Sequence, residues 1–158
     1  MLDTKILFLK LLRVFQPDNI LDIGSRDARE ALTFRDCLPG SSIYAFEANP
    51  ALFARIQADQ NVARAHIHAV NKAASNETGT IRFQISDGDY DNTTRDDLAG
   101  TSSIKERPGF AYKASIDVES TTLDTYFQDT PGHFALWIDV EGATFEVIEG
   151  ALNLLPRV

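Results

Sequence analysis

Short apolar runs alternate along this chain with longer stretches whose apolar positions recur every three or four residues, the pattern of strands and helices taking turns. Residues 1–15 open with Ile6, Leu9 and Val14 at helical spacing, and Gln16-Pro17-Asp18-Asn19 supplies turn chemistry. Residues 20–23 read as a first strand, 28–37 as a helix stopped by Pro39-Gly40, and 42–46 as a second strand. Asn49-Pro50 is a helix cap with proline at the first helical position; Leu52, Phe53, Ile56 and Val62 mark the buried side of that helix. A strand is expected at 66–70. After the turn Asn76-Glu77-Thr78-Gly79, alternation at 81–85 predicts a half-exposed one. Residues 87–109 form a long polar stretch of the kind that serves as a lid or binding loop. Beyond it, 114–120 read as strand and 121–127 as a cap and short helix. Residues 134–138 are apolar throughout, as in a parallel strand buried on both faces. Phe145, Ile148, Leu152 and Leu155 then predict a helix over 144–155, ended by Pro156.

This order predicts one α/β domain with a doubly wound sheet: an N-terminal helix over 1–16 and a core over 17–158. Arg157-Val158 looks like the entry to another strand, so strand 134–138 is expected near a sheet edge. Such an edge invites cover, and a homodimer is one way to supply it.

Composition narrows the partners. At 158 residues the chain is one domain's length, with ordinary hydrophobic (44%) and charged (24%) fractions. A net charge of −8 sets it against phosphate backbones and anionic membrane surfaces, so neither nucleic acid nor membrane is an expected partner. Lys5, Lys10 and Arg13 interrupt the N-terminal apolar stretch, which is therefore read as a packed helix and not as a targeting segment. Cys37 is the single cysteine, which fits a reducing, cytoplasmic compartment and leaves no disulfide framework or thiolate zinc cluster. No metal site is expected. Asp87-Gly88-Asp89-Tyr90-Asp91-Asn92 starts like a calcium loop but fails at Asn92 and Leu98, and His66 and His68 lack a third ligand nearby.

The candidate chemistry centres on Ile20-Leu21-Asp22-Ile23-Gly24-Ser25-Arg26-Asp27, a strand, a tight turn and a helix start. Glu47 ends the next strand about 20 residues on, where an acid accepts hydrogen bonds from a ribose diol. A dinucleotide fingerprint needs three glycines; here Gly24 stands alone, with Arg26 and Ala28 filling the neighbourhood. A pyrophosphate would meet side chains where bare backbone is wanted. S-adenosylmethionine has no phosphate and is cationic at sulfur, so one glycine and two acids suit it better than a nicotinamide cofactor. A Walker lysine loop is absent.

Four segments carry a resemblance: Asp22-Ile23-Gly24, Ala45-Phe46-Glu47-Ala48-Asn49-Pro50, Ser120-Thr121-Thr122-Leu123-Asp124 and Ile138-Asp139-Val140-Glu141-Gly142-Ala143. Their order resembles that of FkbM-type methyltransferases, and Thr101-Ser102-Ser103-Ile104 is similar to that family's small-residue segment. The resemblance spans residues 20 to 153. It implies a Rossmann-like class I methyltransferase sheet, here without the C-terminal strands that normally follow Pro156, and O-methylation of a hydroxyl on a saccharide or small molecule. It also implies S-adenosylmethionine as cofactor, with Asp22 and Gly24 at its methionine end and Glu47 at its ribose; Ser25, Ala48 and Asn49 lie beside them. The family usually has a second glycine where this chain has Ala28. Transfer to a hydroxyl needs a base near the carboxyl end of the sheet, where Asp139 and Glu141 fall. The competing structural roles are that Asp139 holds a loop amide or the cofactor's amino group, and that Glu141 caps the following helix. Likewise Asp22 has the alternative of pinning the first turn. A catalytically silent cofactor-binding module and, behind it, a nicotinamide-dependent enzyme stay open as other readings.

Overall fold

The computed structural model describes residues 3–86, 101–106 and 112–158. In chain order the elements are α1 (Thr4–Phe15), β1 (Asn19–Ile23), α2 (Arg29–Cys37), β2 (Ser42–Phe46), α3 (Pro50–Ala58), α4 (Gln60–Arg64) and β3 (His68–Val70). There follow β4 (Ala73–Ala74), β5 (Gly79–Ser86), β6 (Tyr112–Thr121), α5 (Leu123–Tyr126), β7 (Phe134–Ile138), α6 (Thr144–Glu149) and a 3₁₀ turn at Leu155–Arg157. The calcium-loop match at 87–92 lies outside the described residues, as does most of the long polar stretch.

The central sheet is four-stranded and parallel, in the order β3-β2-β1-β7. Asn19 of β1 stands between Ser42 and Phe134, and all five residues of β1 are buried. Alternation divides the apolar residues between two layers. Ile20, Ile43, Ala45 and Trp137 face α1 and α2, where Phe8 packs edge-on to Trp137 with ring centroids 5.2 Å apart. Leu21, Ile23, Phe46 and Phe134 face the opposite layer, built on Leu123, Phe127 and Val147. Asp3 starts α1 by accepting the N–H groups of Lys5 and Ile6. Among the described residues no helix is long and apolar enough to cross a membrane.

Strands 81–85 and 114–120 do not join the central sheet. They form β5 and β6, an antiparallel pair that makes a second sheet of order β4-β6-β5, with Gly79 opposite Ser120. Their alternating sequences give one apolar face, which packs on its own small core of Ala73, Phe83, Ile85 and Val118. The helix expected after Asn49 is two helices. Asp59 leaves the helical conformation and caps α4 on the Asn61 N–H. The helix from Thr144 ends at Glu149, because the Asp124 carboxylate captures the N–H groups of Asn153 and Leu154 and turns the chain. β7 lies at the end of the sheet order, and four of its five residues are only half-buried.

Candidate active site

From β1 the chain winds outward to β2 and β3 on one side, and returns to β7 on the other. Where a parallel sheet reverses its winding, the loops at the strand ends diverge and leave a crevice. A cleft opens there, with about 600 Å³ of empty space that includes open solvent. Gly24, Arg26, Glu47, Ala48, Asp139 and Glu141 line one part, and Phe46, Leu52, Phe83 and Ile104 give it an apolar side.

The turn after β1 is tightly tied. The N–H groups of Gly24 and Ser25 donate to the Phe46 carbonyl at 3.1 and 2.9 Å. Gly24 has φ +88°, and a Cβ there would overlap the Asp139 carbonyl group, so the two strand ends approach only because this residue is glycine. Arg26 (φ 54°) and Ala28 (φ 60°) adopt the same left-handed region without being glycine. Ala28 starts α2 with its methyl fully buried.

Asp22 does not line the cleft. Strand alternation turns it toward α2, where it is 1% exposed; its Oδ2 accepts the Ser25 hydroxyl at 2.6 Å and the Ala31 N–H at 3.2 Å. Burial raises its pKa to about 7. Glu30 and Asp139 also push upward, against the lowering effect of the two hydrogen bonds. Asp22 thus pins the turn and the first turn of α2 from beneath, with Ser25 as its partner.

Glu47 closes β2 and is buried. Its Oε2 accepts the Arg26 N–H at 2.8 Å and its Oε1 the Asn49 N–H at 2.7 Å, so it joins the loops after β1 and β2. Asn49 lies beneath, where its side chain caps α3 on the Ala51 N–H. The Asn71 amide donates to the Glu47 and Ala48 carbonyls at 2.8 and 3.3 Å and holds the same loop from the β3 side.

Asp139 follows β7, its N–H donating to the Ile23 carbonyl at 2.8 Å. Partial burial, then the charges of Glu141 and Glu30, raise its pKa. Glu141 is held through its backbone: the Ser103 hydroxyl donates to its carbonyl. Ser103 is itself buried and paired through its backbone with Gln84 of β5, at 2.7 and 3.0 Å, so one residue ties the second sheet to the β7–α6 loop. The N-cap of α6 is Ala143, not Glu141.

Five sequence-predicted residues therefore meet in the cleft: Gly24, Glu47, Ala48, Asp139 and Glu141. Asp22, Ser25 and Asn49 support it from below. Asn71, Lys72 and Phe83 were not among the sequence candidates; Asn71 and Lys72 lack any local motif, and Phe83 reaches the cleft only through the packing of the second sheet. Among the described residues, no group of three or more His, Cys, Asp or Glu is placed to hold a metal.

A parallel sheet with a glycine turn after its first strand, an acid closing its second and a cleft at the reversal point is the layout of a Rossmann-like nucleotide-cofactor domain. Comparison with protein families matches residues 22–158 to the Methyltransferase FkbM domain, and the chain belongs to that family. It is 30% identical over 146 residues to 2-O-methyltransferase NoeI of Sinorhizobium fredii, a match covering 87% of this chain and 59% of that protein. It is 27% identical over 149 residues to hexuronic acid methyltransferase AglP of Haloferax volcanii, covering 94% of this chain and 56% of that one. The chain thus spans less than two thirds of the length of either curated relative.

Proposed function

We propose that the chain is the cofactor-binding and catalytic domain of an S-adenosylmethionine-dependent O-methyltransferase, acting on a hydroxyl of a saccharide or small molecule. The observation that carries the reading is Glu47. Its carboxylate joins the two loops that border the cleft and lies on the cleft lining at the end of β2, the position at which an acid recognises a ribose diol. The cleft suits such a cofactor in its other parts. Phe46, Leu52, Phe83 and Ile104 offer an apolar wall for a nucleobase, and the acids Asp139 and Glu141 favour a cationic sulfur. Bound there, a sulfonium supplies an already activated methyl group. The chain's own residues then align the acceptor and take its proton. Asp139, whose pKa is raised by partial burial, is the base, and Glu141 beside it positions the hydroxyl. The names of the two relatives, a 2-O-methyltransferase and a hexuronic acid methyltransferase, support a saccharide acceptor. The single cysteine supports a cytoplasmic setting.

The test is calorimetric titration with S-adenosylhomocysteine. The wild-type chain is expected to bind it. Glu47→Gln is expected to weaken binding by about tenfold and Glu47→Ala to abolish it. Asp139→Asn is expected to retain affinity while losing methyl transfer. A wild-type chain that unfolds cooperatively yet does not bind S-adenosylhomocysteine would refute the reading.

A further inference from the structure

We propose that the Arg26 guanidinium is the carboxylate receptor of this cleft. The inference rests on the reading of the cleft as a site for S-adenosylmethionine, and it assigns a subsite within it.

Arg26 lies in the middle of the turn after β1, in the left-handed conformation at φ 54°. That region is unfavourable for a residue with a Cβ, and a conformation of this kind persists where its surroundings enforce it. Here the enforcing contact is the Arg26 N–H, fixed on Glu47 Oε2 at 2.8 Å. The backbone is thereby locked, and Arg26 is an exposed residue on the lining of the cleft.

The charge balance of the cleft then singles the guanidinium out. Among the described residues the lining includes the acids Glu47, Asp139 and Glu141 and the cations Arg26 and Lys72. Lys72 is engaged by Glu119. The neighbouring acid Asp27 is engaged by Arg29 at 3.0 Å. Among the described residues the Arg26 side chain forms no hydrogen bond or ion pair. Acids on a cleft wall disfavour an anionic group unless a cation stands near enough to meet it. A cofactor ending in an amino acid brings an ammonium and a sulfonium, which the acids accommodate, and one carboxylate, which they do not. Among the described residues Arg26 is a cation at the cleft whose side chain has no partner, and a guanidinium pairs with a carboxylate through two parallel N–H···O bonds. A carboxylate on the acceptor has the same chemistry, and titration separates the two sources.

The experiment compares wild type, Arg26→Lys and Arg26→Ala in calorimetric titrations. The probes are S-adenosylhomocysteine, its decarboxylated analogue and, with S-adenosylhomocysteine present, glucuronate. If the cofactor carboxylate is the ligand, Arg26→Ala weakens S-adenosylhomocysteine by about tenfold and leaves the decarboxylated analogue within about twofold. Arg26→Lys, which keeps the charge and loses the fork, falls between. If the carboxylate is the acceptor's, Arg26→Ala abolishes glucuronate binding and leaves S-adenosylhomocysteine unchanged. Wild-type binding of S-adenosylhomocysteine with all affinities unchanged in Arg26→Ala overturns the assignment while the cofactor reading stands. A folded wild type that binds none of the three probes overturns both.

Discussion

Asp22 makes the stability of this domain depend on pH in a direction opposite to that of most carboxylates. Its folded pKa is raised to about 7, chiefly because 99% of its surface is withdrawn from water, while in the unfolded chain it titrates near the ordinary aspartate value of 3.8. Between those values the native state holds a proton that the unfolded state has released. Its contribution is therefore fully present below about pH 4 and is lost as pH rises through 7. Ionisation costs about 4 kcal/mol of folding free energy across the whole window, with the support of the two hydrogen bonds already included in the shift. Asp22→Asn removes the titration and keeps an oxygen for the Ser25 hydroxyl and the Ala31 N–H. Any fixed cost of the amide is independent of pH, so the diagnostic is the change in the stability difference between two pH values. Urea denaturation of both proteins at about pH 5.5 and about pH 8.5 should show the variant gaining about 2 kcal/mol on the wild type at the higher pH. The lower pH is kept above the pI of about 4.8 to preserve solubility. Asp139, whose pKa is also raised, titrates in both proteins and cancels apart from its coupling to Asp22. A difference that stays constant with pH, or moves against the variant as pH rises, would refute the account of Asp22 as a buried, reluctantly ionised pin.

Two further expectations concern the loops that frame the cleft. Gly24→Ala is expected to destabilise the fold by about 2–4 kcal/mol in denaturant titration. The new methyl needs the left-handed region and overlaps the Asp139 carbonyl, and an unchanged midpoint would show that the two strand ends separate freely. Ser103→Ala removes the hydroxyl that donates to the Glu141 carbonyl and accepts the Lys105 N–H at 3.0 Å, and is expected to cost about 1–2 kcal/mol by the same measurement. Full stability in that variant would mean that the second sheet does not anchor the β7–α6 loop.

The elements of the central sheet were legible because their signals are local. Asn49-Pro50 sets the start of α3, and its capping bond and N-terminal proline are present. The apolar run 134–138 is β7, and the lone glycine after β1 marks the turn. Less was legible where a distant residue intervenes. The helix from Thr144 stops early because of Asp124, and β5 and β6 pair with each other because their alternating faces find one another across the long polar stretch.

The sequence by itself determined the order of strands and helices, the glycine turn, and the acids at the ends of β2 and β7. Each follows from periodicity, turn chemistry or neighbours within a few residues. Only the tertiary structure decided that β7 lies beside β1, and hence that Gly24, Glu47 and Asp139 border one cleft. It also decided that Asp22 turns away to α2 while Arg26 lines the cleft. Strand pairing is a contact between residues far apart in the chain. Which face of a strand meets solvent, helix or cleft depends on what packs against it, and no local pattern carries that information.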